Sequence, residues 1–219
     1  MNFKPIKTPK IAKKIFPNYI WDIPTKEKVI YLTFDDGPTP EITTWTLDVL
    51  KQYNAKATFF CIGNNIEKYP EIFKSILNEG HSVGNHTYNH LKGWKTKTKD
   101  YLKNISQAQK VFDIQTDNLE LKNKVLFRPP YGKIKPKQAK KLADLGYKIV
   151  MWDVLSFDWD KDVTPAECFN NVLSKAQNGS VIVFHDSVKA SKNMQFALPL
   201  ILEHYNQQGF EFKAIKISV

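Results

Sequence analysis

Short apolar runs bounded by turn residues alternate with helix-period segments along most of this chain. Runs at residues 29–34, 58–62, 81–84, 125–127, 147–152, 181–184 and 210–215 carry the apolar, β-branched and aromatic character of strands. Between them lie the signals of helices. Thr39 and Pro40 predict a helix running to about Tyr53, and Pro70 opens another that Gly80 ends. From about Thr98, the positions Tyr101, Leu102, Ile105, Ala108, Val111 and Phe112 recur at helical spacing. Pro136 opens a helix stopped by Gly146, and Thr164-Pro165 opens one ending near Gly179. A last helix around 196–205 ends at Gly209, with Pro199 as a kink point inside it.

Seven strands mostly separated by helices call for parallel pairing with the helices outside. The predicted fold class is α/β: a distorted (β/α)7-type barrel related to the TIM barrel, with its active site at the C-terminal ends of the strands. A doubly wound open sheet is the alternative. Placement favours the barrel, because Asp35, His86, Arg128, Asp158 and His185 each follow a predicted strand at its carboxyl end. Residues 1–28 stand apart as an N-terminal arm packing on the barrel, which occupies 29–219. In the arm, Thr8-Pro9 caps a short predicted helix carrying Ile11, Ala12, Ile15 and Phe16, followed by Tyr19, Ile20 and Trp21. It reads as a cover for one barrel end; flanking lysines make a membrane-surface helix the alternative.

A length of 219 residues with 42% hydrophobic content supports one sizeable core. The net charge of +10 rests on lysine, for Arg128 is the sole arginine. Scattered lysines read as a solvated surface, with attraction to an anionic polymer as the alternative. A lone guanidinium among lysines points to a position needing a planar, bidentate partner for a carboxylate. Cys61 and Cys168 lack metal-ligand spacing and read as buried free thiols. No run approaches the ~18 apolar residues of a membrane span, and the N-terminus lacks the ~7–15-residue apolar core of a signal peptide. The expectation is a soluble monomer, cytoplasmic as written though export stays open, with no specific nucleic-acid partner.

The chemistry begins at Asp35-Asp36, where an apolar strand runs into Gly37-Pro38. Neighbouring side chains on an extended backbone point opposite ways, so one acid can hold a metal while the other handles a proton. His86 and His90, at i and i+4, are expected to meet on one face of a helical turn. One Asp with two His leaves coordination positions open, the pattern of a catalytic metal site. Arg128 precedes a stiff Pro129-Pro130-Tyr131-Gly132 loop. It can neutralise a buried carboxylate, while the Tyr131 N–H can meet a developing oxyanion. Asp158-Trp159 adds an acid and a flat wall suited to sugar rings. His185 ends a buried strand and can serve as a general acid. His81 and His204 read as structural.

Taken in order, Thr33-Phe34-Asp35-Asp36-Gly37-Pro38, His86-Thr87-Tyr88-Asn89-His90, Arg128-Pro129-Pro130-Tyr131-Gly132, Asp158-Trp159 and Val183-Phe184-His185 resemble the motifs of the NodB-homology polysaccharide deacetylases, carbohydrate esterase family 4. Val183 stands where that family usually has leucine. The resemblance implies that Asp36, His86 and His90 bind a divalent metal, zinc first, with cobalt, nickel or manganese as alternatives. It implies that Asp35 is the general base, held ionised by Arg128, and that His185, oriented by Asp158, protonates the leaving amine. Pro130, Tyr131, Trp159 and Val183 would meet the substrate, and Thr87 would steady the histidine loop. The implied activity is hydrolysis of acetyl groups from N-acetylated amino sugars of a peptidoglycan- or chitin-like glycan. An O-acetyl esterase acting on a polysaccharide such as acetyl xylan, and a non-catalytic glycan-binding protein, are the alternatives. A glycosidase built on Asp35 and Asp158 would leave both histidine motifs idle, and no Gly-x-Ser-x-Gly elbow supports a serine hydrolase.

Overall fold

The structure, a computed structural model, describes residues 5–116 and 125–216. Residues 1–4 of the predicted arm, and 117–124 and 217–219 of the predicted barrel, lie outside the described residues. The strands are β1 (Val29–Asp35), β2 (Thr58–Cys61), β3 (Ser82–Asn85), β4 (Leu126–Phe127), β5 (Lys148–Ile149), β6 (Val154–Leu155), β7 (Val181–His185) and β8 (Glu211–Phe212). The helices are α1 (Lys10–Ile15), α2 (Ile42–Gln52), α3 (Gly63–Lys68), α4 (Pro70–Asn78), α5 (Thr98–Gln115), α6 (Pro136–Asp144), α7 (Pro165–Leu173) and α8 (Ser191–Gln207). Every ladder is parallel. The sheet runs β5-β4-β3-β2-β1-β7-β6, with β8 added to β1.

The period-2 alternation of β1 builds two compartments. Ile30, Leu32 and Phe34 enter the large core shared with α2, α4, α7 and α8. Tyr31 packs instead with Phe60, Leu126, Val150 and Val181 in a smaller cluster. Thr33 meets Arg128 on that same alternation. α7 begins as its sequence signals predict: Thr164 accepts from the Glu167 amide and Glu167 accepts from the Thr164 amide, a reciprocal cap. α2 starts later than Thr39-Pro40 predicts, because Glu41 adopts a left-handed φ of 64°. α3 has no counterpart among the predicted helices; with Gly63 and Ile66 as its buried residues it is too short to show a period.

The predicted strand at 147–152 is shortened to β5, and a strand with no predicted counterpart, β6, follows at the opposite end of the sheet order. The few residues between them can span no more than ~18 Å even when fully extended. The sheet therefore curls until its two edges nearly meet, a barrel rather than an open doubly wound sheet. The arm fills the seam. Ile20 donates to the Ile149 carbonyl at 2.9 Å and accepts from Met151 at 2.7 Å, while Thr8 donates to Asp153 at 2.8 Å and Ile6 accepts from Leu155 at 2.9 Å. Edge groups that would otherwise stand open are covered. Asp153, buried beneath, accepts from Lys7 at 2.8 Å, Lys13 at 2.7 Å and Ser180 at 2.7 Å. Among the described residues, no helix is long and apolar enough to cross a membrane.

Candidate active site

Parallel register assembles the site. In the β1–β7 ladder, Asp35 lies directly beside His185. His86 follows the last residue of β3, and Arg128 follows the last residue of β4. Asp35 and Asp36 do not point opposite ways as strand alternation predicts. Asp36 has a φ of 80°, a left-handed turn that Asp tolerates better than most residues. It leaves the strand there, and both acids line one cleft. Gly37 is required next: a Cβ would sit 2.0 Å from Asp186 Oδ2.

The histidines are brought together differently from the predicted helical turn. Residues 86–90 form an irregular loop in which Thr87 (φ 67°) and His90 (φ 56°) are left-handed. Amides at the start of α3 hold that loop, Gly63 donating to the Thr87 carbonyl and Asn64 to the Tyr88 carbonyl. The Thr87 hydroxyl accepts from Leu91 N–H at 3.1 Å, and its amide donates to Asn85 Oδ1 at 2.9 Å. His86 and His90 ring centroids end up 5.1 Å apart.

Asp36 Oδ1 faces both rings, 3.6 Å from His86 Nε2 and 3.3 Å from His90 Nε2. That oxygen is buried with no hydrogen-bond partner. His86 Nδ1 lies 2.8 Å from the Arg128 carbonyl oxygen. Since a carbonyl only accepts, Nδ1 carries a proton, and Nε2 is the ring nitrogen turned toward Asp36. Burial and the adjacent His86 hold His90 down to about 4, so the His90 ring is neutral near neutral pH. The three ligand atoms lie within 4.8 Å of one another. An orphaned carboxylate oxygen facing two imidazole nitrogens suits a divalent metal, which would supply the missing partner.

Arg128 is fully buried but not bidentate to a carboxylate, as the lone guanidinium suggests. Its Nη1 donates at 2.7 Å to both Thr33 Oγ1 and Asp35 Oδ1. Nε donates to the Val150 carbonyl at 3.2 Å and Nη2 to the Met151 carbonyl at 2.7 Å. The guanidinium carbon lies 4.1 Å from the Phe60 ring centroid. Backbone carbonyls take the fork because the irregular segment after β5 turns them inward. Burial alone would raise the Asp35 carboxyl, but the neighbouring Arg128 cation, with His86 and His185, holds it below the usual carboxylate range.

Opposite the histidines, His185 Nδ1 lies 2.8 Å from Asp158 Oδ1, and the His185 amide donates to Asp158 Oδ2 at 2.6 Å. Burial would lower the imidazole; the Asp158 charge prevails and raises it to about 9. With Nδ1 engaged, Nε2 carries the transferable proton. Trp159 and His185 rings lie edge-to-face at 4.6 Å. Tyr131 adopts a φ of 61°, and its ring lies tilted against that of His90 with centroids 4.6 Å apart. Tyr131, Trp159 and Val183 line the cleft; Pro130 is buried and does not line it, fixing the backbone instead. Two contributions escaped the sequence reading. Asp186 accepts from Gly37 N–H and Thr43 Oγ1, bracing the turn that carries Asp36; its position beside His185 was the available signal. Pro5, Thr8 and Pro9 of the arm line the cleft with no local signal at all.

Comparison with known proteins agrees with this geometry. Residues 22–150 match the family model of polysaccharide deacetylases. A peptidoglycan-N-acetylglucosamine deacetylase of Bacillus cereus is 35% identical over 89% of this chain and 90% of its own length. The peptidoglycan-N-acetylmuramic acid deacetylase PdaC of Bacillus subtilis is 33% identical over 86% of this chain, which spans 38% of that longer protein. The crystal structure of Bc1960 peptidoglycan N-acetylglucosamine deacetylase, in complex with an N-oxidanyl-benzamide, superposes with a TM-score of 0.84 at 36% identity, covering 95% of each chain. On that match and those identities, the chain belongs to the polysaccharide deacetylases of carbohydrate esterase family 4 and is a deacetylase hydrolase.

Proposed function

We propose that the protein removes N-acetyl groups from the amino sugars of a peptidoglycan-type glycan by metal-dependent hydrolysis. The observation that carries this reading is the Asp36 Oδ1 without a hydrogen-bond partner facing two imidazole nitrogens, beside an Asp35 kept ionised. Asp36, His86 and His90 would hold the ion, zinc by its preference for such mixed nitrogen and oxygen donors. Bound there, the ion supplies Lewis-acid polarisation of the acetyl carbonyl and acidifies a water. Asp35 would take one proton from the attacking water as the water oxygen adds to the carbonyl carbon. The Tyr131 backbone N–H would donate to the resulting oxyanion. His185 gives its Nε2 proton to the nitrogen as the C–N bond breaks, releasing acetate and a free amine.

His185 favours the amide over the O-acetyl ester. An amine must leave protonated, and an imidazole raised to about 9 stays charged through neutral pH. The relatives named above act on peptidoglycan by name, which supplies the substrate class.

Asp36→Ala tests the metal assignment: the parent should bind stoichiometric zinc, and the variant none, by elemental analysis after gel filtration. Full retention of zinc in the variant would remove Asp36 as a ligand. A second expectation concerns pH. The acid form of His185 is lost as pH rises through its folded pKa, so the parent's turnover should fall above about pH 9. In Asp158→Asn the raising charge is gone and burial dominates, so that alkaline limb should move to lower pH. An unmoved limb in kcat against pH would dissociate Asp158 from the acid.

A further inference from the structure

We propose that residues 5–9 of the N-terminal arm form a fixed, apolar wall of the substrate cleft that meets the sugar adjoining the one deacetylated, making the arm a specificity element. This rests on the glycan-deacetylase reading above. Pro5, Thr8 and Pro9 line the same cleft as Asp35, Asp36 and His86. The cleft holds about 900 Å³, the upper end of the range for small-ligand sites and more than a single sugar ring needs.

The arm is tied down rather than hinged. On either side of Lys7, Ile6 and Thr8 are bonded to the backbone of Leu155 and Asp153, and the Lys7 ammonium reaches the buried Asp153. The Thr8 hydroxyl is spent on the Trp152 carbonyl at 2.7 Å. Pro5 and Pro9 have no N–H to offer. What this segment presents to the cleft is therefore the exposed pyrrolidine rings of Pro5 and Pro9, next to Leu155. Such a wall recognises the C–H face of a sugar through burial and dispersion, not through hydrogen bonds. A substrate carrying one acetyl group on a small leaving group would reach Asp35 without touching it.

The test compares two substrates on zinc-loaded protein: the tetramer of N-acetylglucosamine and 4-nitrophenyl acetate. Pro5 and Pro9 are exposed, so substitutions there should leave the fold intact. In the double variant Pro5→Ala/Pro9→Ala, the ratio of kcat/KM for tetramer to that for the ester should fall at least about 5-fold, through KM. In Pro9→Trp, which fills the cleft, it should fall at least about 10-fold. An unchanged ratio in both variants, including parallel losses on both substrates, overturns the proposal. Tetramer binding is also followed through the fluorescence of Trp152 and Trp159, which line the cleft. Weakened binding in the variants upholds the wall even if the parent turns over no acetylated sugar, a result that would sink only the deacetylase reading. A parent that neither binds nor hydrolyses the tetramer sinks both.

Discussion

Asp35→Asn should lower turnover by about 10²–10⁴-fold, the usual contribution of a positioned general base, while zinc still binds. The amide keeps the shape of the side chain and can still accept from Arg128 Nη1, now at 2.7 Å from Asp35 Oδ1. Asp36, His86 and His90 are untouched. What disappears is the negative charge that takes the proton. Acetate release and zinc content measured on the same sample separate the two effects. Near-parental turnover at full zinc occupancy would take the base role from Asp35. Loss of zinc in step with turnover would instead make Asp35 part of the ion's own environment.

Arg128→Lys should be far from conservative. The guanidinium serves Thr33, Asp35, Val150 and Met151 from three nitrogens in one plane. A single ammonium cannot reach groups spread around that fork. At least two buried acceptors would lose a partner, at about 1–3 kcal/mol each. For a chain of this size the expected fall in Tm is roughly 5–15 °C. Activity should fall at least about 100-fold, since Asp35 would no longer be held in place. The acid limb of the rate profile gives a further sign. Arg128 holds Asp35 below its usual range against burial, so a weaker hold lets the Asp35 pKa rise. The base form, present above that pKa, is then lost at higher pH than in the parent. A lysine variant matching the parent in Tm and kcat/KM would show that one positive charge suffices, whatever its geometry.

Asp35 and Arg128 also show where sequence reading stops. The apolar strand ending in two acids, the solitary arginine before a proline-rich loop, and the histidine closing a buried run were each visible as chemistry placed at a strand end. Their partnership came only from the family resemblance and not from local pattern, because Asp35 and Arg128 are far apart in the chain and meet through the order of β4, β3, β2 and β1 in the sheet. The histidine pair was visible by spacing, and the geometry behind it was misread. A helical turn is the default for i and i+4, yet left-handed Thr87 and His90 do the work, braced by amides of α3 that no local pattern foretells. Asp186 went unassigned because its partners, Gly37 and Thr43, lie across the sheet.

The sequence alone determined the parallel α/β architecture, the rim at which the chemistry gathers and the residue types it uses. Periodicity and capping are local properties, and a strand end fixes which side of a barrel a residue occupies. Tertiary structure alone decided how Arg128 divides its donors among Asp35, Thr33 and two backbone carbonyls, which nitrogen of His86 faces Asp36, and that the arm closes the barrel beside the cleft. Those outcomes depend on register, on left-handed turns at single residues and on the meeting of two sheet edges, none of which is encoded in neighbouring residues.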